Sequence, residues 1–147
     1  MQLTQNVKTI LAKTTVAAGA TDITDAAVAD TEGYEGVRFI FSFGAITSGA
    51  VTSVAAAGLA TSSPTPGTDD LAGTSITVGD TNDDKIFILD IHKPAQRYIR
   101  PFVKRATQNA VLDSIITELY GPHKMPVPKD ASVITQELHV SPAAGTA

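Results

Sequence analysis

The chain contains no cysteine and no tryptophan, and it has only five Phe and three Tyr among 147 residues. The first absence removes disulfides, thiolate metal sites and cysteine nucleophiles, so stability has to come from packing or assembly. The scarcity of aromatics leaves Val, Ile, Leu and a few Phe to build a core, because much of the 43% hydrophobic content is alanine. Long apolar runs are missing too. Nothing approaches the roughly 18 consecutive apolar residues of a membrane span, and MQLTQNVKTILAK lacks the apolar core and small-residue cleavage site of a signal peptide. The expectation is a protein made and used without export, with no membrane partner.

Cationic excess is also missing. A formal net charge of −4 argues against general binding to nucleic acid, which needs a cationic surface to displace counterions from phosphates. The charge is unevenly spread. Up to Asp90, four cations face eleven acids, a net of −7; beyond it, seven cations face four acids, a net of +3. This asymmetry points to a charged partner, and a second copy of the chain is one candidate.

What is present is a succession of short β-like runs separated by turn residues. In VRFIFSFG, Val37, Phe39, Phe41 and Phe43 alternate with Arg38, Ile40 and Ser42, the period of two that marks a strand with one buried face. One or two earlier strands are expected before Gly33 and Gly36, then AVTSVAAAG and TSITVG. Between the last two, SSPTPGTDD reads as a loop and a candidate protrusion, and DTNDDK as a polar turn. KIFILDIH is almost continuously apolar and reads as a strand buried on both sides. In RYIRPFVKR, Ile99 and Val103 point one way and Tyr98, Arg100, Phe102 and Lys104 the other, while Pro101 implies an edge or a bulge. AVLDSIITELYG fits both a helix and a strand; its strand neighbours favour the strand. The expected core is Val37, Phe39, Phe41, Phe43, Ile86, Ile88, Ile99, Val103, Ile115 and Leu119.

From Gly121 the composition changes, with three prolines between Pro122 and Pro128 that preclude a helix. The predicted organisation is a β-sandwich domain over residues 1–120 and a Pro-rich extended arm over 121–147, whose Val133, Ile134, Leu138 and Val140 could attach it to a neighbour. Short strands with Gly- and Pro-rich turns make the fold class all-β, an antiparallel β-sandwich.

Little in the sequence points to chemistry. His92, His123 and His139 sit in separate segments without metal-ligand spacing. Asp80, Asn82 and Asp84 alternate as in a calcium loop, but Lys85 stands where a turn glycine is expected and no bidentate Glu closes the run. The pairs Asp69-Asp70 and Asp83-Asp84 lie in loops with no apolar surroundings to tune them for acid–base work. GxSxG, HExxH and a phosphate-cradling glycine loop do not occur. The expectation is no enzyme, no cofactor and no metal.

The conspicuous stretch is RYIRPFVKRATQNA, residues 97–110. Stacking of single-stranded nucleic acid on Tyr98 and Phe102 is chemically conceivable, but the acidic chain argues against it. Cations on an edge strand also blunt unwanted pairing. The preferred reading is a protein interface formed by Arg97, Tyr98, Arg100, Phe102, Lys104 and Arg105, whose cations meet acids of another subunit.

The segment KIFILDIHKPAQRYIRPFVKRATQNAVLDSIITELYGPHKMPV, with its K-P-x-x-R-Y-I-R-P run and later Y-G-P, resembles the head decoration (cement) proteins of tailed bacteriophages, chiefly over Ile86 to Val127. The resemblance implies a jelly-roll-like sandwich, without catalytic residues, made in the host cytoplasm and placed on the capsid exterior of the virion. There it would assemble as a dimer or trimer and bridge major capsid protein subunits. A receptor- or carbohydrate-binding virion module is the rival reading. Such modules usually present exposed Trp or Tyr, whereas here Tyr34, Tyr98 and Tyr120 are scattered.

Overall fold

A computed structural model describes residues 2–47, 52–106, 108–141 and 143–145. Ala50 and Val51 of the expected AVTSVAAAG strand, and Thr107 of the turn before Ala110, lie outside these residues. A single helical turn, α1 (Leu3–Asn6), precedes β1 (Val7–Lys13), β2 (Ala29–Asp30), β3 (Tyr34–Ile46), β4 (Thr52–Leu59), β5 (Ile76–Val78), β6 (Ile86–His92), β7 (Tyr98–Lys104) and β8 (Ala110–Pro122). The ambiguous last segment is therefore a strand.

The strands form two antiparallel four-stranded sheets, ordered β1-β8-β3-β6 and β2-β7-β4-β5, whose inner faces make a β-sandwich. The alternation of β3 sets the core, with Val37, Phe39, Phe41 and Phe43 all 1% exposed or less. Leu112, Ile115 and Leu119 of β8 join them, and Ile99, Val103 and Val54 close the core from the other sheet. Burying such side chains is the main driving force of folding, at about 1.5–3 kcal/mol each.

Two expected core residues are not in it. Ile86 is 60% exposed and Ile88 is 47% exposed, because β6 is the edge strand of its sheet and only Phe87, Leu89 and Ile91 face inward. The apolar run of β6 thus marks one buried face and one open one, not burial on both sides.

β7 also departs from expectation. It is not an edge strand, since it lies between β2 and β4. Pro101 is nevertheless accommodated by an interruption. Val103 exchanges both backbone hydrogen bonds with Ile23, and Ile99 pairs with Ala29. By alternation the missing N–H of Pro101 points into the gap between these two pairings, where no ladder bond is lost.

The SSPTPGTDD loop folds back instead of protruding. Asp70 bridges to Ala57, Leu71 N–H donates to the Ala56 carbonyl, and Pro64 is buried. Its two acids are structural. Asp69 accepts from Thr65 N–H (2.7 Å) and Asp70 from Gly67 N–H (2.6 Å). Asp83 likewise accepts from Ile46 N–H (2.6 Å), tying the β5–β6 turn to the end of β3.

Beyond Pro122 the described chain has no further strand and packs beside β1. Val127 N–H donates to the Gln5 carbonyl, Asp130 pairs with Lys8 (3.4 Å), and Leu11 N–H donates to Ser132 Oγ (2.9 Å). The path then doubles back, so that Gln136 donates to the Thr4 carbonyl.

Candidate interaction surfaces

The predicted interface residues are brought onto and around β7, but in different roles. Alternation puts Tyr98, Arg100, Phe102 and Lys104 on the outer face of the β2-β7-β4-β5 sheet, opposite Leu59, Ala57, Ala55 and Ser53 of β4. The small side chains of Ala55 and Ala57 leave room for Phe102, which is 1% exposed and forms a separate apolar cluster with them. Lys104 Nζ lies 5.4 Å from the centre of the Phe102 ring and 3.2 Å from Asp70 Oδ2. Phe102 is therefore covered by its own chain and is not available to a partner.

Arg105 is also internal, at 4% exposure. Its Nε donates to the Thr21 carbonyl (2.6 Å) and its Nη1 to the carbonyls of Ala17 (2.7 Å) and Ala110 (2.9 Å). Its own N–H donates to Asp22 Oδ1 (2.9 Å). Burial holds the guanidinium below its ordinary pKa, partly offset by Asp22. It acts as a staple that satisfies carbonyls of the β1–β2 segment, where no ladder does so.

The remaining cations find partners within the chain. Arg97 makes a two-pronged pair with Asp30 (both 2.8 Å), contacts Glu32, and stands 4.9 Å over the Tyr98 ring. The hydrogen bond from Arg97 holds the Asp30 carboxyl below its ordinary pKa. Arg100 reaches Ser63 Oγ (2.7 Å) and the Thr24 carbonyl (3.3 Å). The acids expected from another subunit are thus supplied, for Arg97 and Lys104, by Asp30, Glu32 and Asp70. Half-buried Arg97, Tyr98 and Arg100 and exposed Lys104 still present their outer edges to solvent.

Sequence reasoning missed the second surface. On the outer face of the β1-β8-β3-β6 sheet, the register aligns Leu11, Ile116, Ile40 and Ile88 as direct cross-strand neighbours spanning all four strands. Leu11 is 41% exposed, and Ile40 and Ile116 are half-buried. The next row holds Thr9, Glu118, Arg38 and Asp90, with Arg38 Nε donating to Glu118 Oε2 (2.8 Å). The row after it is Val7, Tyr120, Gly36 and His92. A Cβ at Gly36 would come within 2.3 Å of the Tyr120 Cζ and hydroxyl oxygen, so the absence of a side chain lets the ring lie down on the sheet. The Tyr120 and His92 rings are parallel within 4° at 6.3 Å. Burial, then the hydrogen bond to Asp90 (2.7 Å), push the Tyr120 hydroxyl up to about 12.

Val7, Thr9, Arg38, Asp90, Glu118 and Tyr120 of these two rows floor a groove of about 710 Å³, rimmed on one side by Leu3 and Thr4 and by Val133, Thr135 and Gln136 of the returning arm. A cross-strand aliphatic row on alternate positions was the available signal. It was obscured because each member lies on a different strand.

Among the described residues no three His, Asp or Glu side chains gather as a metal site, and no helix is long and apolar enough to cross a membrane. No family model matches the chain, and no curated protein matches it.

Proposed function

We propose that the chain is a structural virion protein that binds the outer surface of a capsid and bridges major capsid protein subunits. What carries this reading is the order of strand pairing. β1 pairs with β8, β2 with β7, β3 with β6 and β4 with β5, four nested antiparallel pairs divided between two sheets. This is a long hairpin rolled up in the jelly-roll manner, an architecture used by viral capsid and lectin domains. Shared architecture supports a capsid role by analogy, and the segment that resembles decoration proteins adds to that support. That segment supplies β6, β7 and β8, and its K-P-x-x-R-Y-I-R-P run forms the link from one sheet to the other.

The surfaces suit such a task better than catalysis. They are broad sheet faces and an arm lying along an edge, able to make many weak contacts repeated by capsid symmetry. The test is co-sedimentation of the purified chain with expanded capsids of its own phage lacking this protein. Saturable binding in a simple ratio to capsid subunits is expected; absence of binding to intact capsids would sink the reading.

A receptor- or carbohydrate-binding module is the second reading, favoured by one observation: the flat Tyr120 ring beside Arg38, Glu118 and Asp90 in the groove. Glycan binding lost in Tyr120→Ala, without capsid binding, would favour it.

A further inference from the structure

We infer that the outer face of the β1-β8-β3-β6 sheet pairs with the same face of a second copy, about a two-fold axis parallel to the strands and running between β8 and β3. The inference follows from the register and does not depend on the capsid reading.

Such an axis lays β1 of one copy over β6 of the other and β8 over β3. Leu11 then faces Ile88 of the second copy, and Ile116 faces Ile40, so the aliphatic row meets itself with no polar residue opposite. In the adjoining row Glu118 faces Arg38 and Arg38 faces Glu118, while Asp90, which accepts from the Tyr120 hydroxyl of its own chain, faces Thr9. The ion pair within each chain becomes a four-charge cluster of alternating sign, a self-complementary arrangement of the kind two-fold interfaces require. An axis along the row, at right angles to the strands, would instead set the charged row against the Ser114, Ser42 and Ile86 row. That arrangement leaves Glu118 and Arg38 without charged partners across the interface. Charge complementarity therefore selects the first axis.

Two further features agree. Ile86 and Ile88, at 60% and 47% exposed, are bulky apolar residues on an edge strand, where polar or charged side chains usually prevent association. The returning arm stands as a rim on the β1 side of the groove, where it would flank β6 of the second copy. Four strands about 4.8 Å apart and seven residues long at about 3.3 Å each give a face of roughly 440 Å², or about 900 Å² counted on both copies. That is below the roughly 1,200–2,000 Å² of stable complexes, so the pairing is expected to be reversible, with dissociation in the micromolar range or weaker.

The absence of cysteine makes the geometry directly testable. Single-cysteine variants Leu11→Cys and Ile88→Cys of the full chain are prepared and treated, separately and mixed, with a thiol cross-linker spanning about 8 Å, suited to facing sheets about 10 Å apart. The mixture should yield cross-linked dimer, and neither variant alone should, since like residues lie at opposite edges. Sedimentation equilibrium up to about 500 µM should show a monomer–dimer equilibrium, weakened about tenfold or more by Ile40→Glu, the scale of a central interface residue. Circular dichroism of each variant checks folding, and the cysteine pair serves if Ile40→Glu does not fold. A chain monomeric throughout overturns the proposal. So does cross-linking of Leu11→Cys with itself, which places the axis across the strands, and so does self-association that yields no mixed cross-link, which places it on another surface.

Discussion

On the outer face of the β2-β7-β4-β5 sheet, Phe102 rests on Ala55 and Ala57 and is 1% exposed; on the outer face of the other sheet, Ile88 is 47% exposed. Both side chains point away from the shared core, and both are large and apolar. The difference is what the chain lays over them. Residues 60–75 return along β4 with Asp70 bridged to Ala57, Ser63 meets Arg100, and Lys104 crosses the Phe102 ring. Among the described residues, what reaches the row of Ile88, Ile40, Ile116 and Leu11 is the arm, whose Ser132 Oγ accepts from Leu11 N–H at the β1 edge. One sheet is covered by its own chain, and the other leaves its aliphatic row open to solvent.

The largest effect should come from the core both sheets share. Phe41→Ala is expected to cost about 3–5 kcal/mol in denaturant unfolding, as for deletion of a fully buried Phe. A cost under 1 kcal/mol would mean that the sheets are not held together as described. Arg105→Met should follow at about 2–3 kcal/mol, because three carbonyls lose charged donors while the volume is nearly kept. Recovery in Arg105→Lys should be partial, since one ammonium cannot span all three.

Outward positions should separate the two faces more sharply. Arg100→Ser with Lys104→Ser is expected to lower stability by only about 1 kcal/mol, in keeping with solvent-facing substitutions, while weakening capsid binding. Ile88→Thr should change the unfolding free energy of the monomer by no more than about 0.5 kcal/mol, because the side chain is half in water already. An equally large loss from Ile88→Thr and Phe102→Ala would erase the distinction between an open face and a covered one.

The smallest effect is electrostatic. Asp30, Asp25 and Asp130 all have carboxyls held below their ordinary pKa, by Arg97, by Lys13, and by the Ser132 amide and hydroxyl with Lys8. A lowered folded-state pKa contributes stability above the unfolded value and loses it as pH falls through the folded one. Stability should therefore decline as pH drops below about 4, and Asp30→Asn should remove part of that decline. Denaturation midpoints at pH 5 and pH 3 for both proteins measure it.

The sandwich was legible because alternation needs only local chemistry. Val37, Phe39, Phe41 and Phe43 declare one buried face whatever else the chain does, and the Gly- and Pro-rich gaps declare where strands end. The β6 run misled for a related reason: Ile86 and Ile88 are as apolar as Leu89, and composition cannot distinguish the inward face of a strand from an open one. Arg105 misled in the opposite direction. A cation reads as surface until the distant Ala17 and Thr21 join the nearby Ala110 in bringing three carbonyls to it.

The amino-acid sequence by itself determined the strand class, the inward face of β3 and the scarcity of chemistry-bearing groups, because these follow from residue type and spacing along one segment. Only the tertiary structure decided that Leu11, Ile116, Ile40 and Ile88 form one row, that Phe102 is roofed over, and that Asp30 and Asp70 answer Arg97 and Lys104. Each of these depends on register between strands far apart in the chain, and a shift of one residue would turn every such side chain to the opposite face.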